Sequence, residues 1–170
     1  MGKFQDSLDK GKHALLLSIA GNYTGRIRTW FEKDQLADDS AIEGSFRPVL
    51  DGRFLIHEYH YNFEGKAQSG ISLIGYDLQQ ESWQTAWADS FHMSTAIMFS
   101  TGSEQEHPLV LGAYGAPGST EQWGWRTVLE QPDGKLRIQH FNISPDGAEA
   151  LAVQIDYDRI SSNSDIHARD

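Results

Sequence analysis

Cysteine is absent from the 170-residue chain, which excludes disulfides, thiolate metal sites and cysteine nucleophiles. Basic residues are scarce, since 14 lysines and arginines stand against 24 acidic residues and leave a formal net charge of −10. A surface of this sign repels phosphate backbones and anionic lipids, so we expect neither nucleic acid nor a membrane as a partner. The sequence also lacks a nucleophile elbow, a phosphate-binding glycine loop and a metalloprotease signature.

Long apolar runs are missing too. The strongest run, residues 14–20, is much shorter than the roughly 20 apolar residues that a membrane span needs. Asp6 and Asp9 precede this run, whereas the start of a secretory signal is basic and carries no acidic residues. We therefore expect a soluble, cytoplasmic protein.

The sequence instead offers ten short β-type runs after one helical segment, and most of the joins between them are turn signals. The clearest turns are Asp51-Gly52, Glu64-Gly65, Asp133-Gly134 and Asp146-Gly147. Glycine after an acidic residue provides the positive φ of a tight hairpin turn, and successive hairpins build an up-and-down sheet. We predict an all-β fold, a ten-stranded antiparallel up-and-down barrel with room for one small ligand.

The length fits a single domain. We predict that residues 1–20 form a helical cap over one end of the barrel and that residues 21–160 form the barrel. The helix is expected from about Phe4 to Ile19, with Gly21 ending it. Residues 161–170 are polar and without periodicity, and they are predicted to be a loose C-terminal tail.

Side chains alternate along a strand, so the turns also predict which residues point into the barrel. A two-residue turn at Asp51-Gly52 sets Phe46 opposite His57. Residues 94–101 and 109–114 are further predicted strands, and the inward face of the second is left open. The side chains predicted to point inward include Tyr23, Ile27, Phe31, Leu55, His57, Tyr59, Ser72, Tyr76, Trp83, Thr85, Trp87, Asp89, Trp125, Thr127, Leu129, Leu136, Ile138, His140, Leu151, Val153, Ile155 and Tyr157.

A lumen with apolar walls and a few placed polar groups is typical of small-molecule sites. We predict that it binds a small apolar or aromatic ligand. The predicted ligand-binding residues are His57, Tyr59, Tyr76, Trp87, Asp89, Trp125, Thr127 and His140.

Several stretches of the chain carry a family resemblance. They are GNYTG (21–25), TWFE (29–32), RPVLDGRFLIHEY (47–59), GYD (75–77), WADS (87–90) and WRT (125–127). Together they resemble a bacterial family of unknown function, number 1579 among such families, over the chain up to about Arg159. That family is similar to the calycins, namely lipocalins, fatty-acid-binding proteins and nitrobindin-like haem barrels. The resemblance implies a ten-stranded barrel with a helix over one end, and it implies no established activity.

The resemblance also implies a contact that closes one end of the barrel. Family members carry Trp where this chain has Tyr23, and in lipocalins that Trp packs against a late Arg. Arg159 is the corresponding candidate in this chain. A guanidinium also stacks on a tyrosine ring, although more weakly than on tryptophan.

The inward histidines and Asp89 each have a structural alternative. His57 and His140 are either polar anchors for a ligand or core histidines satisfied by Tyr59 or Thr127. Asp89 is the candidate general acid or base together with His57, since a carboxyl on an apolar wall has a raised pKa unless donors hold it. Otherwise Asp89 caps the turn at Phe91-His92.

We predict no cofactor and no metal. Haem held by His57 or His140 is the alternative, but no haem-attachment motif is present. His57 and His60 lie on opposite faces of one strand and therefore cannot converge on one metal ion.

Three functions remain open at this point. The first is a binding protein whose lumen holds a small ligand, and the second is an enzyme that uses Asp89 and His57 for proton transfer. The third is a structural or interaction protein with a filled core. The same register turns an aliphatic patch outward, which predicts a homodimer through Ile56, Ile71, Leu73, Ala86 and Ala88.

Overall fold

The predicted strands form a closed antiparallel barrel in a computed structural model, which describes residues 2–103, 107–115 and 118–161. Each strand pairs with its neighbours in sequence, and the first strand closes the barrel on the tenth. The fold is therefore the predicted ten-stranded antiparallel barrel. Its helices are α1 (Lys3–Lys10) and α2 (Lys12–Ile19), and its strands are β1 (Gly21–Glu32), β2 (Gln35–Val49), β3 (Phe54–Phe63), β4 (Lys66–Asp77), β5 (Ser82–Asp89), β6 (Met98–Ser103), β7 (Leu109–Gly115), β8 (Gln122–Glu130), β9 (Leu136–Ile143) and β10 (Glu149–Arg159).

The turn between β2 and β3 sets the register that the turn signal predicts. Asp51 and Gly52 adopt positive φ values of 55° and 80°, as the two-residue turn of a tight hairpin requires. Phe46 consequently lies opposite His57. Because side chains alternate, Leu55, His57, Tyr59 and Tyr61 of β3 are all buried inside the barrel.

The N-terminal segment is two helices, and the prediction of one continuous helix is wrong. Gly11 separates α1 from α2 with an extended backbone, φ −109° and ψ −152°. A β-carbon at Gly11 would lie 2.8 Å from the Cα atom of Ser7, so only glycine fits. Ser7 Oγ in turn hydrogen-bonds His13 Nδ1 at 2.8 Å, which ties the start of α2 to α1.

One end of the barrel is sealed by α2 and by the last residue of β10. Leu16 and Ile19 of α2 are buried in the core of the barrel. The Arg159 guanidinium carbon lies 5.4 Å from the centre of the Tyr23 ring, and Arg159 also donates to Tyr23 Oη at 2.8 Å. The contact implied by the calycin resemblance is therefore present, with tyrosine in the place of tryptophan.

Two of the residues predicted to point inward are not buried. The ladder between β1 and β2 shifts around Trp30, and Phe31 is 65% exposed at the end of the barrel, where its ring lies 5.7 Å from that of the buried Phe63. A second shift lies between Leu151 and Val153 in β10, so Ala152 is buried and Leu151 is half-buried. An extra residue in a bulge reverses the alternation beyond it, and alternation alone does not reveal it.

The strand predicted at residues 94–101 begins late, because β6 starts at Met98. Residues 90–97 instead form a loop that folds over the other end of the barrel. Phe91 of this loop stacks on Phe63 with ring centres 4.2 Å apart. The open question about β7 is resolved, since Val110 points inward and is 2% exposed.

Of the predicted C-terminal tail, only Ser161 belongs to the described residues, and residues 162–170 lie outside them. Neither of the two described helices is long and apolar enough to cross a membrane.

Candidate functional site

A cavity lies inside the barrel and is lined by side chains of β3, β4, β5, β7, β8, β9 and β10. Its volume is about 40 Å³. Its polar lining is His57, Tyr59, Ser72, Thr85, Trp87, Thr127 and His140, and its apolar lining is Ile74, Pro108, Val110, Leu129, Ile138 and Ile155. The cavity therefore has apolar walls with a few placed polar groups, which is the usual composition of a small-molecule site.

His140, in β9, is held by two neighbours on β8. Trp125 Nε1 donates to His140 Nδ1 at 3.2 Å, and the Thr127 hydroxyl lies 2.8 Å from the same nitrogen. The indole nitrogen can only donate, so Nδ1 is the acceptor and the neutral ring carries its hydrogen on Nε2. Within the part of the chain that the structure describes, no hydrogen-bond partner takes up Nε2. The His140 N–H is therefore a donor that the lining offers to a bound molecule.

His57 is held more tightly than His140. Its Nε2 lies 3.1 Å from the Tyr157 hydroxyl. Its ring stacks on Phe46, with ring centres 4.1 Å apart and planes 2° apart, and on Tyr59 on the other side. These contacts fix the orientation of the imidazole, so His57 presents one edge to the cavity as a rigid wall.

Both histidines are uncharged at neutral pH. Burial lowers the pKa of His57 to about 3, with a smaller contribution from His140 nearby. Burial likewise lowers the pKa of His140 to about 3, and the neighbouring His92 adds to this effect. The lining contains no carboxylate, lysine or arginine, and its two histidines are neutral above about pH 3. The cavity is therefore a neutral environment.

Asp89 lies at the end of β5 and does not line the cavity. Its Oδ1 accepts hydrogen bonds from the backbone N–H groups of Phe91 and His92, both at 2.8 Å, and lies 3.1 Å from His92 Nδ1. Its Oδ2 accepts from the Tyr59 hydroxyl at 2.7 Å. This is the capping role that was the alternative for Asp89.

These donors decide the ionisation of Asp89. Burial opposes ionisation, but the hydrogen bonds from His92 and Tyr59 outweigh it and hold the pKa of Asp89 below its usual value. The raised pKa of an unpaired inward carboxyl is therefore not found. Asp89 is a carboxylate that anchors the loop at residues 90–97 to the barrel.

The structure brings together most of the predicted site residues, in two groups. His57, Tyr59, Trp87, Thr127 and His140 line the cavity. Behind them lie Trp125, which stacks on Trp87 with ring centres 5.6 Å apart, and Asp89.

Tyr76 lies apart from both groups, at the end of the barrel covered by the helices, where its ring packs edge-on against Trp83. Sequence reasoning placed Ser72 and Thr85 inward but did not assign them to the site. It missed Val110 and Pro108, because no turn signal fixes the face of β7.

The described residues contain no cluster of three or more histidine and acidic side chains that could hold a metal ion. His57 is buried and His60 is exposed, so the two histidines of β3 do point to opposite faces as expected.

A comparison with family models finds one match that covers most of the chain. The matching family is described as "Protein of unknown function (DUF1579)", and the match spans residues 9–159. No curated protein matches the chain. The site must therefore be interpreted from its own geometry.

Proposed function

We propose, given that the chain belongs to the DUF1579 family of proteins of unknown function, that its barrel binds one small, uncharged, largely apolar molecule. The observation that carries this proposal is the His140 N–H at the wall of a largely apolar cavity. A bound molecule that covered this N–H without offering an acceptor would leave a buried donor unpaired, at a cost of about 1–3 kcal/mol. A ligand with one acceptor group and an apolar body satisfies this donor and fills the rest of the space.

The size of the cavity limits the ligand. A volume of about 40 Å³ holds about three water molecules, since each needs roughly 10–15 Å³ of such space. Three waters occupy about 90 Å³ in the liquid, which corresponds to a molecule of about three or four non-hydrogen atoms. A long acyl chain or a macrocycle would require the wall side chains to move.

The charge of the ligand is limited by the neutral lining. Bringing an unpaired ion into a dry cavity costs several kcal/mol, and neither histidine carries a compensating charge near neutral pH. Neutral molecules should therefore bind in preference to their charged analogues of the same shape.

Acetone is a suitable probe because it combines four non-hydrogen atoms, two apolar methyl groups and one acceptor. In protein with labelled isoleucine methyl groups, titration should shift the resonances of Ile74, Ile138 and Ile155 saturably at millimolar concentration or below. The exposed Ile160 is the internal control and should not shift. Isopropylammonium, which has the same carbon skeleton but carries a charge and no acceptor, should bind at least tenfold more weakly.

Variants locate the binding in the lumen. Ser72→Leu places an aliphatic side chain in the cavity and should abolish the shifts, whereas Thr24→Leu, on the outer face of β1, should retain them. If the three isoleucines do not respond to acetone, or if Ser72→Leu responds as the wild type does, the proposal is wrong.

The structural alternative also has an observation in its favour. Phe46, Tyr59, Trp83, Trp87 and Trp125 are all buried and fill most of the lumen. A barrel that binds neither probe would be a structural or interaction protein of this kind. The enzyme alternative is not favoured, because an ionised Asp89 and a His57 with a pKa of about 3 provide no acid near neutral pH.

A further inference from the structure

The outer surface of the barrel is divided into a charged part and an uncharged part. On β4, β5, β6 and β7, the outward side chains between the strand ends are all uncharged. We call this surface the neutral face. It is unusual in a chain whose 24 acidic and 14 basic residues make up 22% of the sequence.

The neutral face exposes large apolar side chains. Phe99 is 72% exposed, Leu111 is 50% exposed, Ile71 is 44% exposed and Leu73 is 39% exposed. The ladder sets Leu73 opposite Ala86, and Ala86 opposite Phe99, so these side chains form one row across adjacent strands. The exposed apolar groups are therefore contiguous rather than scattered.

The remaining strands carry the charges, and several of these charges form ion pairs. Arg26 pairs with Asp39 at 2.8 Å, and Arg137 pairs with Asp156 at 2.7 Å. Such a charged surface is better stabilised by water than by contact with a protein partner. The contrast leaves the exposed apolar surface on one side of the barrel.

Charged pairs border the neutral face on both sides. On one side Arg47 lies opposite Ile56 in the ladder and pairs with Glu58 at 3.7 Å. On the other side Arg126 lies opposite Leu111 and pairs with Glu149. An apolar centre inside a polar border is the usual composition of a protein–protein interface.

We propose that the neutral face binds the same face of a second copy of this chain across a two-fold axis. Each copy carries a formal net charge of −10, so two copies repel unless they meet where no charge is present. The neutral face meets this condition against itself. Each border also contains both an arginine and a glutamate, so the borders complement one another on association.

The size of the neutral face is sufficient for a reversible dimer. Four strands about 4.8 Å apart and about six residues long span roughly 20 Å by 20 Å, or about 400 Å² in projection. Side chains raise the accessible area above this projection, so two faces approach the roughly 1,000 Å² of a specific interface. The expected dimer therefore dissociates on dilution in the micromolar range.

Sedimentation velocity of the full chain between about 1 and 200 µM tests this proposal. The wild type should shift from monomer to dimer as its concentration rises. Phe99→Lys should remain a monomer over the whole range, because the two-fold axis brings two added charges into the apolar centre. Its circular dichroism should be unchanged, since the side chain of Phe99 is 72% exposed.

Leu36→Lys is the matched control. Leu36 is 52% exposed on β2, outside the neutral face, and this variant should form the dimer as the wild type does. The proposal is overturned by a wild type that stays monomeric at 200 µM, in which case the face serves a different protein. It is equally overturned by a Phe99→Lys variant that still forms dimers.

Discussion

Replacing Trp87 by alanine should lower the free energy of unfolding by about 3–5 kcal/mol, the range for a large aromatic side chain removed from a core. Trp87 is 7% exposed and stacks on Trp125 and on His140. Its Nε1 donates to the Tyr59 hydroxyl at 2.9 Å. The variant therefore loses packing and leaves the Tyr59 hydroxyl without one of its two hydrogen bonds. Urea unfolding at pH 7.5, followed by circular dichroism, measures the change.

Trp30→Ala is the control for the loss of an indole as such. Trp30 is half-buried near the bulge in β1 and lies outside the lumen. Its loss should cost about 1 kcal/mol, the typical effect of a substitution outside the core. Equal destabilisation by the two variants would contradict the assignment of Trp87 to the lumen.

The second large effect is a loss of stability at mildly acidic pH. The unfolded chain binds a proton at each histidine near pH 6.5, whereas the folded chain keeps His57 and His140 neutral down to about pH 3. The unfolded state therefore binds more protons between these limits, and stability falls as the pH falls through this window. Between pH 7.5 and 5.5 each of the two should cost about 1.4 kcal/mol, or about 2.7 kcal/mol together.

Between pH 7.5 and 5.5 the loss of stability comes from the histidines and not from the carboxylates. Hydrogen bonds and ion pairs lower the pKa values of Asp89 and Asp156, so their contributions are lost only at still lower pH. Burial also lowers the pKa of His13, so a smaller dependence of the same sign should persist in every variant.

A matched pair of variants assigns the effect to a residue. His140→Gln should remove about half of the loss between pH 7.5 and 5.5, measured as the free energy of unfolding in urea. His60→Gln changes the exposed histidine of β3 and should leave the loss as it is in the wild type. A wild type whose stability is the same at both pH values would contradict the burial of two neutral histidines.

The barrel could be predicted from sequence because its strands are joined by local signals. Asp51-Gly52 shows how a turn of two residues fixes a whole register, and with it the inward direction of His57 and Tyr59. The late strands follow in the same way from the Asp133-Gly134 turn, which places Thr127 opposite His140. These two registers account for the position of most of the lumen polar groups.

The features that sequence did not predict depend on contacts between distant residues. The break at Gly11 follows from its close approach to Ser7, and the half-buried position of Leu151 follows from a bulge. The ionised state of Asp89 depends on donors from His92 and Tyr59 that gather only in the folded chain. The sequence did not determine which side chains of β7 point inward, because the neighbouring loops contain no turn made of an acidic residue followed by glycine.

The central claim is that the lumen binds a small uncharged molecule, and native mass spectrometry after incubation with a cellular metabolite extract tests it most directly. The wild type should retain one added mass per chain, corresponding to a small neutral compound, and Ser72→Leu should show the bare chain alone. The account is contradicted if the wild type and Ser72→Leu both show only the bare chain. It is also contradicted if both retain the same compound.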